Sequence, residues 1–249
     1  MIAENHAEPK PHTWQFTRDI WQTLRANLHE RASYLKLLYD QISSGPVVKE
    51  RYLDIGAAEA VNSMVFGENF DDIYCVDLKL PKGMTTSKQE GLDIHYIIAN
   101  AHKLPFEDSS FDLVSMFSSI EHMQARELAL QEALRVLKRN GELVMQFPNR
   151  YFPLDLHTGL INPVFVPVFA RRKLFTCIGY KGLLDEVDIP QRKEVCRWLE
   201  HLATLVGVRK VLYPAKLVPQ RVRGIYRLAK RAGLLHVIPL GYLCVYRKI

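Results

Sequence analysis

The chain has 249 residues, 48% of them hydrophobic and 24% charged, enough to close one large α/β domain without disulfide or metal staples. Its four cysteines (Cys75, Cys177, Cys196, Cys244) form no CxxC pair, which excludes a disulfide framework or zinc ribbon and fits a reducing cytosol. The net charge of +6 is uneven: residues 1–170 carry −6 and residues 171–249 carry +12, so the last third is the part expected to face an anionic partner.

The polar start, MIAENHAEPKPH, lacks the apolar run of a signal peptide and reads as a tail. The most apolar stretch, Leu160–Ala170, contains Pro163 and Pro167 and is about half the length of a spanning helix, so a cytoplasmic protein is expected. From Thr13 to Ser43, Ile20, Leu24, Leu28, Leu35, Leu38 and Ile42 recur at helical spacing, and Ser43-Ser44-Gly45-Pro46 ends the run. Five short apolar strands are predicted next, at Arg51–Ile55, Ile73–Asp77, Ile94–Ile98, Phe111–Phe117 and Glu142–Phe147. A helix over Ala125–Lys138, closed by Asn140-Gly141, separates the last two. Further on, a helix is expected at about Gln191–Leu205, a strand at Lys210–Tyr213, a basic helix at Val222–Leu235 and a last strand at Tyr242–Arg247.

Buried strands alternating with helices imply a doubly wound, Rossmann-like sheet of about seven strands. It should be mostly parallel with an antiparallel last strand, and carry helices on both faces. Residues 1–45 would form an N-terminal tail and helical extension, 46–150 the ligand-binding core, and 151–249 a substrate-side insertion that completes the sheet. In such sheets ligands bind beyond the carboxyl ends of the strands, and the chemistry-bearing residues cluster there.

The first strand runs into Leu53-Asp54-Ile55-Gly56-Ala57-Ala58-Glu59-Ala60, a turn of small residues that lets backbone approach a ligand closely. The second ends in Val76-Asp77, an acidic position about where ribose hydroxyls are bound in dinucleotide folds. The run ANAHKLPFEDSSFDLV (residues 99–114), then Ile120-Glu121-His122-Met123, then EALRVLKRNGEL (residues 132–143) closely resemble successive blocks of the class I S-adenosylmethionine-dependent methyltransferases of small molecules. The resemblance covers roughly residues 50–149. It implies S-adenosylmethionine as cofactor, with Asp54, Gly56 and the Ala58 backbone toward its methionine part. Asp77 would meet the ribose, Leu78 the adenine face, Asn100 and Ala101 the adenine edge, and Phe117 the neighbourhood of the sulfonium.

Three positions depart from the family pattern: Ala58 and Ala60 stand where glycine is usual, and Asn100 stands where aspartate is usual. Alanine at a site needing positive φ costs about 1 kcal/mol or more, so the turn must tolerate alanine or bind the cofactor less well.

An oxygen nucleophile needs a base, and His122, beyond the fourth strand, is the first candidate, with Glu121 beside it to act or to orient it. Asp155 and His157 follow the fifth strand. Some relatives hold a divalent metal through an ExxEH run. Here the first carboxylate position is Ser118, which leaves too few ligands, and no metal is expected.

The Pro- and aromatic-rich loop PNRYFPLDLHTGL loosely resembles methyltransferases acting on sugars and surface polysaccharides. In the basic helix, Arg223, Arg227, Lys230 and Arg231 oppose Val222, Ile225, Leu228, Ala229 and Ala232. Such a helix docks on a core, contacts an anionic membrane peripherally, or holds a phosphorylated substrate. The expected activity is methyl transfer to oxygen of a small or lipid-linked molecule, a glycan or isoprenoid intermediate. Against it stand a nucleic-acid methyltransferase, disfavoured by the lack of an NPPY-like signature or RNA-binding module, and a non-catalytic binding protein on a degenerate fold.

Overall fold

The computed structural model describes residues 26–43, 45–46, 48–79, 94–152, 170, 173, 190–218 and 220–249, apart from the side chains of residues 221 and 222. Helix α1 (Leu28–Asp40) buries Ala32, Leu35, Leu38 and Tyr39 along one stripe, the spacing its leucines predict. The part of the expected helix before residue 26 lies outside the described residues, as do Asp155 and His157.

The next elements alternate as the sequence implies: β1 (Arg51–Ile55), α2 (Val61–Gly67), β2 (Asp72–Asp77), β3 (Ile94–Ile98), β4 (Phe111–Phe117), α3 (Arg126–Val136) and β5 (Leu137–Pro148). Then come α4 (Arg192–Leu199), β6 (Ala203–Val211), α5 (Gln220–Arg231), α6 (Leu234–Val237) and β7 (Gly241–Lys248). All seven strands form one sheet in the order β3-β2-β1-β4-β5-β7-β6. The first five are parallel, and β7 runs antiparallel to both β5 and β6, so β6 points the same way as the first five.

Every residue of β4 is buried, and five of its seven residues are apolar, with Asp112 and Ser115 buried among them rather than alternating toward solvent. Two apolar clusters cover the two faces. One gathers α1, α2 and the Tyr213–Leu240 region, and the other gathers α3 and α4. The strand order reverses between β1 and β4, opening a crevice outside their carboxyl ends, where ligands bind in such sheets.

Three expected boundaries are corrected. Helix α3 ends at Val136 and passes directly into β5, which begins at Leu137 rather than Glu142. Asn140-Gly141 therefore does not close the helix. Asn140 takes φ 63 within the strand, where the register against β4 slips between Phe111 and Leu113. Helix α4 stops at Leu199, short of Leu205. Thr204, Val206 and Val208 put β-branched side chains at alternate positions, and Ala203–Val211 pairs along β7 instead. The basic helix breaks at Gly233, φ 74, into α5 and α6.

Candidate active site

The carboxyl end of β1 is held under the small-residue turn by a closed set of hydroxyl contacts. Asp54 is 1% exposed and accepts hydrogen bonds from Ser63 Oγ at 2.6 Å and Ser115 Oγ at 2.7 Å. Ser115, its own hydrogen spent on Asp54, accepts in turn from the Tyr52 hydroxyl at 2.6 Å. Burial pushes the Asp54 carboxyl up to about 6. The two serine donors oppose that rise, and the nearby Asp77 charge adds to it.

Gly56 follows with φ 76, and a Cβ there would lie 2.5 Å from Ser119 Cβ, so both backbone shape and close approach require glycine. Ser119 Oγ donates to the Ile55 carbonyl at 3.0 Å, which locks the β4 end against the β1 end. Ala58 and Ala60 take φ 46 and 55, the left-handed region, so this turn does accept alanine where glycine would be unstrained.

The acidic end of β2 reaches the same turn. Asp77 Oδ2 accepts the Ala58 N–H at 3.0 Å and Oδ1 accepts the Leu78 N–H at 2.7 Å. Each oxygen keeps a lone pair for an incoming hydroxyl. Leu78 and Ile98, at the neighbouring ends of β2 and β3, are both exposed, so an apolar surface borders the turn. Asn100 is exposed, and its Oδ1 accepts the His102 N–H at 3.0 Å. Ala101 is half-buried. Phe117 is buried, with its ring 4.7 Å from that of Phe66.

Seven of the eight expected cofactor-side residues thus lie around the turn and the ends of β1, β2 and β3, while the Phe117 ring sits in the core beneath the β4 end. The donor set fits the cofactor the resemblance implies. There is a glycine-shaped approach for its amino-acid end, a carboxylate with spare acceptors for a diol, and apolar side chains for a purine face.

Beyond its carboxyl end, β4 is followed by a short 3-10 turn, Ile120–His122. Glu121 is buried and His122 is exposed, so the turn aims the two side chains into different surroundings. Ser118, φ 48, donates its hydroxyl to Gln146 Oε1 at 2.7 Å. Among the described residues no three His, Cys, Asp or Glu side chains converge. After β5, Asn149 is buried and donates its N–H to the Leu240 carbonyl at 2.8 Å and its Nδ2 to the Pro239 carbonyl at 2.9 Å. Sequence reasoning missed Ser63, Ser115 and Ser119, because a serine carries no signal until folding sets it against Asp54 or the Ile55 carbonyl. Ile98 was legible as the last apolar residue of its strand but was given no role.

Residues 53–145 match the family described as Methyltransferase domain. The chain is 32% identical over 168 residues to a demethylmenaquinone methyltransferase of Renibacterium salmoninarum, covering 66% of this chain and 69% of that protein. It is 40% identical over 108 residues to the ubiquinone/menaquinone biosynthesis C-methyltransferase UbiE of Laribacter hongkongensis, covering 40% of this chain and 44% of that one. Among solved structures, the geranyl diphosphate C-methyltransferase of Streptomyces coelicolor A3(2), in complex with Mg2+, geranyl diphosphate and S-adenosyl-L-homocysteine, superposes with TM-score 0.55 at 11% identity, over 87% of this chain and 77% of that one. The [4+2]-cyclase SpnF superposes with TM-score 0.51 at 16% identity, over 85% of this chain and 80% of that one. Two named activities on one fold show that the sheet alone does not set the reaction.

Proposed function

We propose an acceptor for a chain that belongs to the class I S-adenosylmethionine-dependent methyltransferases: a ring carbon of a quinol-type aromatic that carries an isoprenoid tail. The chain is a methyltransferase and its cofactor is S-adenosylmethionine. The observation that carries the acceptor is the 168-residue match to a demethylmenaquinone methyltransferase, which is longer than the 53–145 domain span and so takes in residues outside the cofactor core.

S-adenosylmethionine supplies an electrophilic methyl group on a sulfonium. In our reading Asp77 accepts the ribose hydroxyls through the lone pairs that the Ala58 and Leu78 amides leave open. Leu78, with Ile98 beside it, covers one adenine face. Asn100 and Ala101 meet its edge. Gly56 and the Ala58 backbone line the methionine part, and Asp54 supplies negative potential from beneath them. Phe117 packs under the site and keeps water from the reacting end.

His122 takes the phenolic proton of the acceptor, which concentrates electron density on the neighbouring ring carbon for in-line attack. With His122 holding that proton, the ring carbon would take the methyl group as S-adenosylhomocysteine leaves; the ring proton would then pass to solvent, and His122 would return its proton to the phenolate oxygen. Glu121, buried behind the same turn, is the alternative base.

Oxygen methylation of a lipid-linked glycan is the second reading, favoured by the Pro- and aromatic-rich segment that starts at Pro148. Supplying methyl-labelled cofactor with a short-tailed demethylmenaquinol, and separately with a lipid-linked sugar, distinguishes the two by where the label appears. Label on a ring carbon is expected, and His122→Ala should lower that turnover about 100-fold or more with cofactor affinity nearly unchanged. Label only on a sugar oxygen would overturn the acceptor. Near-wild-type turnover of His122→Ala would move the base to Glu121.

A further inference from the structure

The basic helix packs the opposite way from a docked amphipathic helix. In α5 the side chain that anchors to the protein is Tyr226, buried, whose hydroxyl donates to the Tyr213 carbonyl at 2.7 Å. Arg223 faces inward too, donating to the carbonyls of Lys216 at 3.2 Å and Val218 at 3.1 Å. Of the apolar residues that would seal a docked helix against the core, Ala229 does pack there, while Ile225 and Leu228 point outward. Ile225, Leu228, Leu234 and Val237 are 74%, 69%, 59% and 76% exposed, and Ile238 adjoins them. Arg227, Lys230 and Arg231 are exposed on the same helix. Apolar and cationic side chains thus share the solvent side, the pattern of a helix lying in a bilayer interface rather than of one covering a core.

Charge and position both select the occupant. From residue 201 to the end the chain has ten Lys or Arg and no Asp or Glu, so nothing contributed by this stretch repels an anionic surface. The α5–α6 unit is inserted between Val211 and Gly241, which pair with each other, and Gly241 also pairs with Pro148, the last residue of β5. The ridge therefore stands at the carboxyl edge of the sheet, the edge that holds the cofactor turn. Asn149 ties the chain leaving β5 to Leu240 and Pro239 at the foot of the ridge.

We propose that the α5–α6 ridge seats this edge of the protein on an anionic phospholipid bilayer, its apolar side chains in the acyl boundary and Arg227, Lys230 and Arg231 among the headgroups. This deepens the reading of an isoprenoid-tailed acceptor, which would then reach the site from the membrane it is dissolved in, but the test needs neither acceptor nor cofactor. The whole chain is sedimented with vesicles of phosphatidylglycerol and phosphatidylcholine in equal parts, and with phosphatidylcholine vesicles alone.

The expected result is binding to the anionic vesicles that weakens steeply with salt, because the attraction fades within a Debye length of about 8 Å at physiological ionic strength. Changing Arg227, Lys230 and Arg231 together to Gln should weaken binding about 100-fold, at roughly fivefold per charge near such a surface. Ile225→Ser with Leu228→Ser and Val237→Ser should abolish it while the circular dichroism spectrum stays unchanged. Both variants should keep wild-type turnover on a short-tailed soluble acceptor, which separates failure here from failure of the acceptor assignment. No binding to either vesicle, equal binding to both, or variants that bind like the wild type would overturn the proposal. So would a dimer in gel filtration that the serine variant dissociates without any vesicle binding, or a preference for polyuridylate over vesicles.

Discussion

Asp54 shows how one buried carboxyl can weigh against the fold that encloses it. Its folded-state pKa of about 6 lies above the ordinary 3.8, chiefly because burial disfavours the charge. At pH below the ordinary value the carboxyl is protonated in both folded and unfolded chains and contributes nothing to the balance. As pH rises toward 6 the unfolded chain ionises first, so stability falls, and above 6 the folded chain carries the whole penalty of about 3 kcal/mol. Asp54→Asn should therefore be more stable than wild type by about 1–2 kcal/mol at pH 8, after allowing for one rearranged serine contact, and gain nothing at pH 4. Urea unfolding of both proteins at the two pH values checks it, and a gain that does not depend on pH would disconnect Asp54 from the effect. In the enzyme that same buried charge lies beneath the place where a cationic cofactor is proposed to bind, which gives a physical reason for retaining an unfavourable group.

At the scale of the element, the turn between β1 and α2 concentrates the unusual backbone of the site, with Gly56, Ala58 and Ala60 all at positive φ. Ala60 is fully buried and its methyl contributes packing, but Ala58 is exposed, so its strain has no packing in return. Ala58→Gly should raise stability by about 0.5–1 kcal/mol, the left-handed penalty less the extra entropy glycine brings to the unfolded chain. Thermal melting measures it directly, and a loss of stability would mean that the Ala58 methyl makes a contact worth more than the strain. The same turn shows what a sequence can carry. The small residues announced a close approach, and β1 to β4 were legible almost to the residue because each is a short, mostly apolar run bounded by turn residues. The later elements were less so. Ala203–Val211 places β-branched Thr204, Val206 and Val208 at alternate positions, but Leu202 and Leu205 continue the leucine spacing of the preceding helix and masked the strand. The inward Tyr226 and outward Leu228 of α5 depend on where the helix is anchored, which helical periodicity does not record.

Across the whole molecule the two edges of the sheet carry different duties. The carboxyl edge holds the turn, the strained alanines and the exposed ridge, while the amino edge holds a buried ionic clamp. There Glu142, fully enclosed near the start of the paired part of β5, accepts from Tyr39 Oη at 2.7 Å, Ser43 Oγ at 2.6 Å and Arg247 Nη2 at 2.6 Å. These three donors come from α1, from the segment just after it and from β7, so one carboxylate joins the helical extension to the neighbouring strands β5 and β7. Burial and the Glu142 charge raise the Tyr39 hydroxyl far above its ordinary value, so it remains a donor at any working pH. Removing that donor while keeping the ring isolates the clamp. Tyr39→Phe should lower unfolding free energy by about 1–3 kcal/mol, the scale of a hydrogen bond to a charged group, while Ser43 and Arg247 still satisfy the carboxylate. Because Glu142 pairs with Leu113 near the start of β4, the clamp lies a strand's length from Gly56 and Asp77, and calorimetry should find S-adenosylmethionine affinity unchanged in the variant. Weakened cofactor binding with unfolding unaltered would mean that α1 transmits its position to the site along the sheet, and the separation of duties between the two edges would not hold.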